Sequence, residues 1–196
     1  DGGKVYLILG DTTSDTPNLD GIMSDYGLKK DSGYIADTQR CYQGNYYAIF
    51  PQLSLSGDLG SGISNQMVLL LNSPGMEKTD TDNDNLTVTP FMQTSDSGYA
   101  VTENDQTQGQ YILGAVSTNA ISADSSDSDS EDEDDKSDAT DTDTKTARLT
   151  VLASASMISS DITDQLTTLD NLTLFVNSVT ENFDNVNNVA IEAKSL

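Results

Sequence analysis

Arg148-Leu-Thr-Val-Leu-Ala153, followed at once by Ser154-Ala-Ser156, is the stretch whose reading decides the fold. Its six residues are β-branched or apolar at nearly every position, the pattern of a short strand buried on both faces. The small residues after it mark a strand running into a turn. Downstream, the spacing predicts a helix over residues 171–183, with Leu172, Phe175, Val176, Val179 and Phe183 on one core-facing stripe. Strand, small-residue turn and packed helix together read as a β-α unit of an α/β sheet. Upstream, residues 111–118 form a second apolar strand, separated from the first by a polar, acidic insert over residues 122–146.

The opening of the chain repeats the theme. Lys4-Val-Tyr-Leu-Ile-Leu9 is a continuous apolar strand, and a short punctuated helix follows it. Thr16 suits the cap, Pro17 the first helical position and Gly27 a left-handed stop. Leu19, Ile22, Met23 and Tyr26 would be its buried stripe. This second β-α unit predicts a parallel pairing with the first. Residues 33–36, 46–50, 66–72 and 86–92 read as further strands, the last at a sheet edge or bulge because it holds Pro90. Because Asp1-Gly-Gly-Lys-Val drops straight into a strand, further strands upstream are expected.

Composition narrows the chemistry. The 196 residues are enough for a single domain with a real core. The formal charge is −23; the insert carries −9 of it, so the remaining sequence is acidic as well. Such a surface repels nucleic-acid phosphates and anionic lipid headgroups. With no histidine, Ser-His-Asp and Cys-His pairs and the commonest zinc ligand are missing. Cys41 is the only cysteine, so it has no disulfide partner in the chain and no Cys cluster for zinc, and no neighbouring base marks it as a nucleophile. No apolar run approaches the ~20 residues that span a bilayer.

Several motifs are weaker than they look. The glycine-rich stretch 56–62 lacks the Lys-Ser/Thr of a P-loop and the spacing of a dinucleotide fingerprint. Asp80-Thr-Asp-Asn-Asp84 has the first oxygen positions of a calcium loop, but Asn85 stands where glycine is required and Phe91 where the bidentate glutamate belongs. Tyr42, Tyr46, Tyr47 and Phe50 near Arg40 read either as a stacking platform for a sugar or aromatic ligand or as ordinary strand and edge packing. The acceptor tripeptides at Asn85 and Asn171 read as chance matches, because the second lies in the start of the predicted helix. The insert cannot bury apolar area and is expected to be disordered. It reads as a solvated insertion, with calcium scavenging or partner docking as the alternatives.

In order along the chain, these segments resemble the GldG-like family, the gliding-motility-associated auxiliary component of ABC transporters. The resemblance lies in Gly2-Gly-Lys-Val-Tyr-Leu-Ile-Leu9, Pro17-Asn-Leu-Asp20 with Tyr26-Gly-Leu28, and Val88-Thr-Pro-Phe-Met-Gln-Thr-Ser95. It continues through residues 109–116, 148–156 and Asn171-Leu-Thr-Leu-Phe-Val-Asn177. The insert departs from the family's short loop, as does Ala153-Ser-Ala-Ser156, where members often carry Gly-Asp-Ser. The resemblance implies a Rossmann-like, mostly parallel sheet flanked by helices, shaped like class I glutamine amidotransferases but without their Cys-His pair. It also implies a single extracytoplasmic domain on the outer face of the cell membrane. Membrane helices would lie outside residues 1–196, and the ATPase and ABC-2 type permease subunits would be partners.

The leading expectation is therefore a non-catalytic domain that binds a ligand or partner for a transporter, with no cofactor and no metal. Ligands of open α/β sheets sit beyond the carboxyl ends of the strands. That makes Asp11, Thr12, Thr94, Ser95, Ser154 and Ser156 the pocket candidates, suited to a neutral polar or cationic ligand. The same hydroxyls could equally serve as turn formers. A hydrolase using Asp11 or Asp37 with a serine is the enzymatic alternative. A surface structural or adhesion module whose acidic loops bind calcium is the third.

Overall fold

The computed structural model describes residues 2–10, 16–121 and 145–183. Thirteen strands appear in chain order among these residues. They are β1 (Lys4–Ile8), β2 (Leu28–Lys30), β3 (Tyr34–Asp37), β4 (Cys41–Tyr42), β5 (Asn45–Ile49), β6 (Gln52–Leu53) and β7 (Leu70–Leu71). After them come β8 (Met76–Lys78), β9 (Leu86–Gln93), β10 (Gly98–Val101), β11 (Gln106–Gly109), β12 (Ile112–Ile121) and β13 (Lys145–Leu152). The helices are α1 (Pro17–Asp25), the single turn α2 (Ser160–Thr163) and α3 (Asn171–Asn182).

A seven-stranded sheet runs β1-β13-β12-β8-β2, with β9 sharing the far side of β12 and β6 lying on β9. Two small sheets, β11-β10-β3 and β4-β5-β7, complete the fold. β13 sits between β1 and β12, and Leu149, Val151 and Leu152 are buried at its centre. β1 and β13 pair in parallel, as the two strand–helix units predict.

The rest of the sheet corrects the expectation of a Rossmann-like, mostly parallel architecture. Every other strand pair among the described residues is antiparallel. The reason is connectivity. A parallel neighbour needs a crossover of about a dozen residues or more, usually a helix. Between β2 and β12 the described chain supplies no α-helix, only turns, loops and one 3-10 turn at Gly57–Gly60, so no helical crossover is available to set strands parallel. The architecture is therefore mostly β, with helices confined to two stretches.

Strand positions hold in part. β9 covers the proline-containing segment, and the pairing register with β12 shifts beside Pro90, so the proline lies next to the bulge expected of it. Residues 66–72, expected to form a third sheet strand, pair only at Leu70–Leu71, with β5 in a small sheet. Lys145 and Thr146, placed in the acidic insert by composition, are the first rungs of β13, opposite Ile121 and Ala120. The remainder of that insert lies outside the described residues. α1 starts at Pro17 and stops at Gly27, whose φ of +72° is the left-handed geometry of a helix end. Thr16 holds Asp20 through its hydroxyl and does not cap a backbone amide.

α3 overturns its predicted face. Leu174 is fully buried together with Asn171, Ser178 and Asn182, whereas Leu172 and Val176 are 51% and 50% exposed. Hydrogen bonds choose this rotation. Asn171 bridges both backbone groups of Leu69 and the Met157 carbonyl. Tyr6 on β1 meets Ser178 at 2.6 Å, and Thr150 on β13 donates to Asn182 at 2.7 Å. Buried amides and hydroxyls need such partners far more than a valine needs burial. Ile22 on α1 is likewise half exposed, while Met23 beside it is fully buried. No described helix is long and apolar enough to cross a membrane.

Candidate functional site

Of the strand-end residues singled out from the sequence, Thr94, Ser95, Ser154 and Ser156 all make hydrogen bonds within the fold. Asp11 and Thr12 lie outside the described residues. Thr94 is buried and accepts the Tyr111 amide at 2.9 Å through its hydroxyl. Ser95 meets Asp37 twice, its amide donating to Oδ2 at 2.7 Å and its hydroxyl to Oδ1 at 2.9 Å. The Gln39 and Arg40 amides complete the cradle. Burial alone would raise Asp37, but the Ser95, Arg40 and Gln39 donors outweigh it and hold the carboxyl below its ordinary value. An acid stabilised as its anion is a poor general base, which weakens the hydrolase alternative.

Ser154 and Ser156 form a second clamp, at the end of β13. Leu71 donates its amide to Ser156 Oγ at 2.8 Å, Ser154 Oγ donates to the Leu71 carbonyl, and the two hydroxyls meet at 2.7 Å. The serines hold β7 to the main sheet. Among the described candidates, Thr94 and Ser95 thus belong to one network and Ser154 and Ser156 to another.

The acidic turn 80–84 is held by local bonds, the Asn83 amide to Thr81 Oγ1 and the Asn85 amide to Asn83 Oδ1. Among the described residues no group of three or more acids and cysteines is placed to hold a metal. Of the four aromatic residues, Tyr42 and Phe50 pack edge-to-face, while Tyr46 and Tyr47 remain exposed. Asn171 is buried and bonded, which removes it as a sugar acceptor.

A cleft of about 320 Å³ lies between the β2–β8 ribbon and the β10–β11 hairpin. Its charged wall is built by strand register. Lys29 on β2 stands opposite Glu77 on β8, and the Asp31 amide continues the pairing to the Gly75 carbonyl. Side chains two apart on a strand share a face, so Lys29 and Asp31 line the same side. Asp105, Thr107 and Tyr111 form the facing wall, with the Tyr111 hydroxyl donating to the Thr107 carbonyl at 2.8 Å.

Asp31 differs from the cradled Asp37. Its Oδ2 is buried with no hydrogen-bond partner among the described residues. Burial first, and the Glu77 carboxylate second, push its pKa up to about 6 against the opposing pull of Lys29. The cleft is therefore lined by a carboxyl able to accept or donate near neutral pH, by the carboxylates of Glu77 and Asp105, and by Lys29 and Lys30. One sequence signal pointed here: Lys29-Lys30 is the only pair of adjacent cations in this strongly acidic chain. The strands around it were too short to be legible.

No protein-family model matches this chain. No curated protein matches it either. Its fold is similar to a solved structure described as "mmIFT52 N-terminal domain", with a TM-score of 0.54 at 10% identity. The match covers 92% of this chain and 65% of that one, so the chain spans just under two thirds of that structure's length. At this identity the likeness is one of fold alone.

Proposed function

We propose that this chain is a non-catalytic binding domain whose cleft at Lys29, Asp31 and Glu77 takes a small zwitterionic solute. The observation that carries the reading is the buried Asp31 Oδ2, without a hydrogen-bond partner among the described residues, in a cleft that Glu77, Lys29 and Lys30 also line. An ammonium group would meet Asp31 and Glu77, with Asp105 on the facing wall, and a carboxylate would meet the lysines. A volume of about 320 Å³ is at the small end of ligand sites. The engagement of Thr94, Ser95, Ser154 and Ser156 in clamps supports looking here and not at the strand ends.

The wider setting is the one the family resemblance implies. The domain serves an ABC-type transport system on the outer face of the membrane, with the permease and ATPase subunits as partners. Titration calorimetry with amino acids, dipeptides, polyamines and neutral sugars tests the cleft. Zwitterions should bind and sugars should not, and Asp31→Asn should abolish the heat. Silence from every amine-bearing solute would end the ligand reading. Affinity capture from the native membrane tests the setting, and a catch without ATPase and permease would end that part independently.

A further inference from the structure

The tripeptide Asn-Leu-Thr occurs twice in the chain, at residues 85–87 and 171–173, and the fold gives the two copies opposite surroundings. Asn-x-Thr is the acceptor pattern for N-linked sugar, provided that the asparagine stands at a surface. Asn171 opens α3 and is only 1% exposed. Its Nδ2 donates to the Leu69 carbonyl at 2.9 Å and to the Met157 carbonyl at 3.1 Å. A sugar on that nitrogen would break a buried hydrogen bond and need space inside the core.

Asn85 is exposed, in the turn that leads into β9. Its hydrogen bonds lie on its backbone: the amide donates to Asn83 Oδ1 at 3.0 Å, and the carbonyl accepts the Ala120 amide at 3.1 Å. An asparagine in a turn commonly spends its side chain on nearby backbone. Asn83 performs that task here and also reaches Asn119 through its Nδ2, so the turn is held without the Asn85 side chain. Leu86 and Val88 pack over Gly27 at the end of α1, whereas Thr87 is exposed. The amide of Asn85 and the hydroxyl of Thr87, the two groups an acceptor site must present, are thus both in solvent. The first half of β9 pairs with β12 alone among the described strands, since β6 meets β9 only at Met92 and Gln93. A bulky polar group beside that open edge screens it from other strands.

From the contrast between the two sites we infer that Asn85 carries an N-linked glycan and Asn171 does not, a reading that rests on the outer-face placement proposed above. In the transfer, Asn85 Nδ2 bonds to the anomeric carbon of an oligosaccharide carried on a lipid diphosphate. The bond from that carbon to the phosphate oxygen breaks, and the lipid diphosphate leaves with the electron pair. The proton lost from Nδ2 goes to a base of the transferase.

Peptide mapping by mass spectrometry of the chain recovered from its native membrane tests this. The peptide holding Asn85 should carry added saccharide mass, and enzymatic release of the glycan in heavy-oxygen water should mark Asn85 as aspartate and leave Asn171 unmarked. Asn85→Gln and Thr87→Ala should each remove the saccharide, whereas Thr87→Ser, which keeps the hydroxyl, should retain it. Labelling of intact cells with a membrane-impermeant amine reagent reports the placement separately. A chain labelled from outside but bare at Asn85 overturns the inference and leaves the placement standing. A chain both unlabelled and bare overturns the two together. Sugar that survives Thr87→Ala, or sugar on Asn171, overturns the assignment of the site.

Discussion

Three aspartates among the described residues, Asp170, Asp37 and Asp31, have opposite fates. Asp170, ahead of α3, receives the amides of Ser64, Asn65 and Met67 and the Ser64 hydroxyl. Asp37 receives three amides and a hydroxyl. Both are held below the ordinary carboxylate value, desolvation being outweighed by these donors. Asp31 has no such cradle, faces a second acid and is pushed up to about 6. Donor count thus separates an aspartate that builds the fold from one left available in a cleft.

The strongest way to break that contrast is to remove a cradled acid. Asp170→Ala would leave the amides of Ser64, Asn65 and Met67 facing a void and free the loop from the start of α3. With each orphaned buried donor costing about 1–3 kcal/mol, a loss of roughly 4 kcal/mol is expected. Urea denaturation measures it. A loss below about 1 kcal/mol would show that the cradle is decorative.

A backbone contact offers the next test. A methyl group on Gly98 would stand 2.5 Å from the Thr94 hydroxyl and 2.7 Å from the Gly109 carbonyl. Gly98→Ala should therefore push Thr94 off the Tyr111 amide and cost about 2 kcal/mol, within the range for overpacking. Thermal unfolding would register it. An unchanged midpoint would mean that this side of the cleft tolerates movement, and Tyr111 would lose its role as a fixed wall.

The same logic explains what the sequence revealed and what it hid. β13 was legible because Leu149, Val151 and Leu152 lie in one unbroken apolar run. Gly27 was legible as a helix stop because backbone geometry alone demands it. α3 was legible as a helix but not in its orientation. Its rotation depends on Asn171, Ser178 and Asn182 finding partners on Leu69, Tyr6 and Thr150, contacts between residues far apart in sequence. The cleft was hidden for a related reason. Lys29 and Glu77 come together only through the register of two three-residue strands, below the length at which alternation can be read. The parallel expectation failed because two β-α units were extended to strands that have no helices between them.

The smallest effect carries the opposite sign and sharpens the contrast most. An acid whose pKa is raised on folding binds its proton more tightly in the native state, so stability increases as the pH falls from about 6 towards the ordinary carboxylate value. The cradled acids, with lowered values, contribute stability above that ordinary value and lose it as the pH falls through their own depressed range. The wild-type protein should therefore gain slightly between neutrality and about pH 5, then weaken steeply in stronger acid. Asp31→Asn should remove the first limb and leave the second. At pH 7 it should stabilise the fold by on the order of 1 kcal/mol, because solvent screening at this half-exposed site discounts the full shift. Denaturation midpoints at several pH values would record both limbs. If Asp31→Asn destabilises the protein at neutral pH, the carboxylate has a native partner after all, and the cleft loses the free acid on which its proposed chemistry depends.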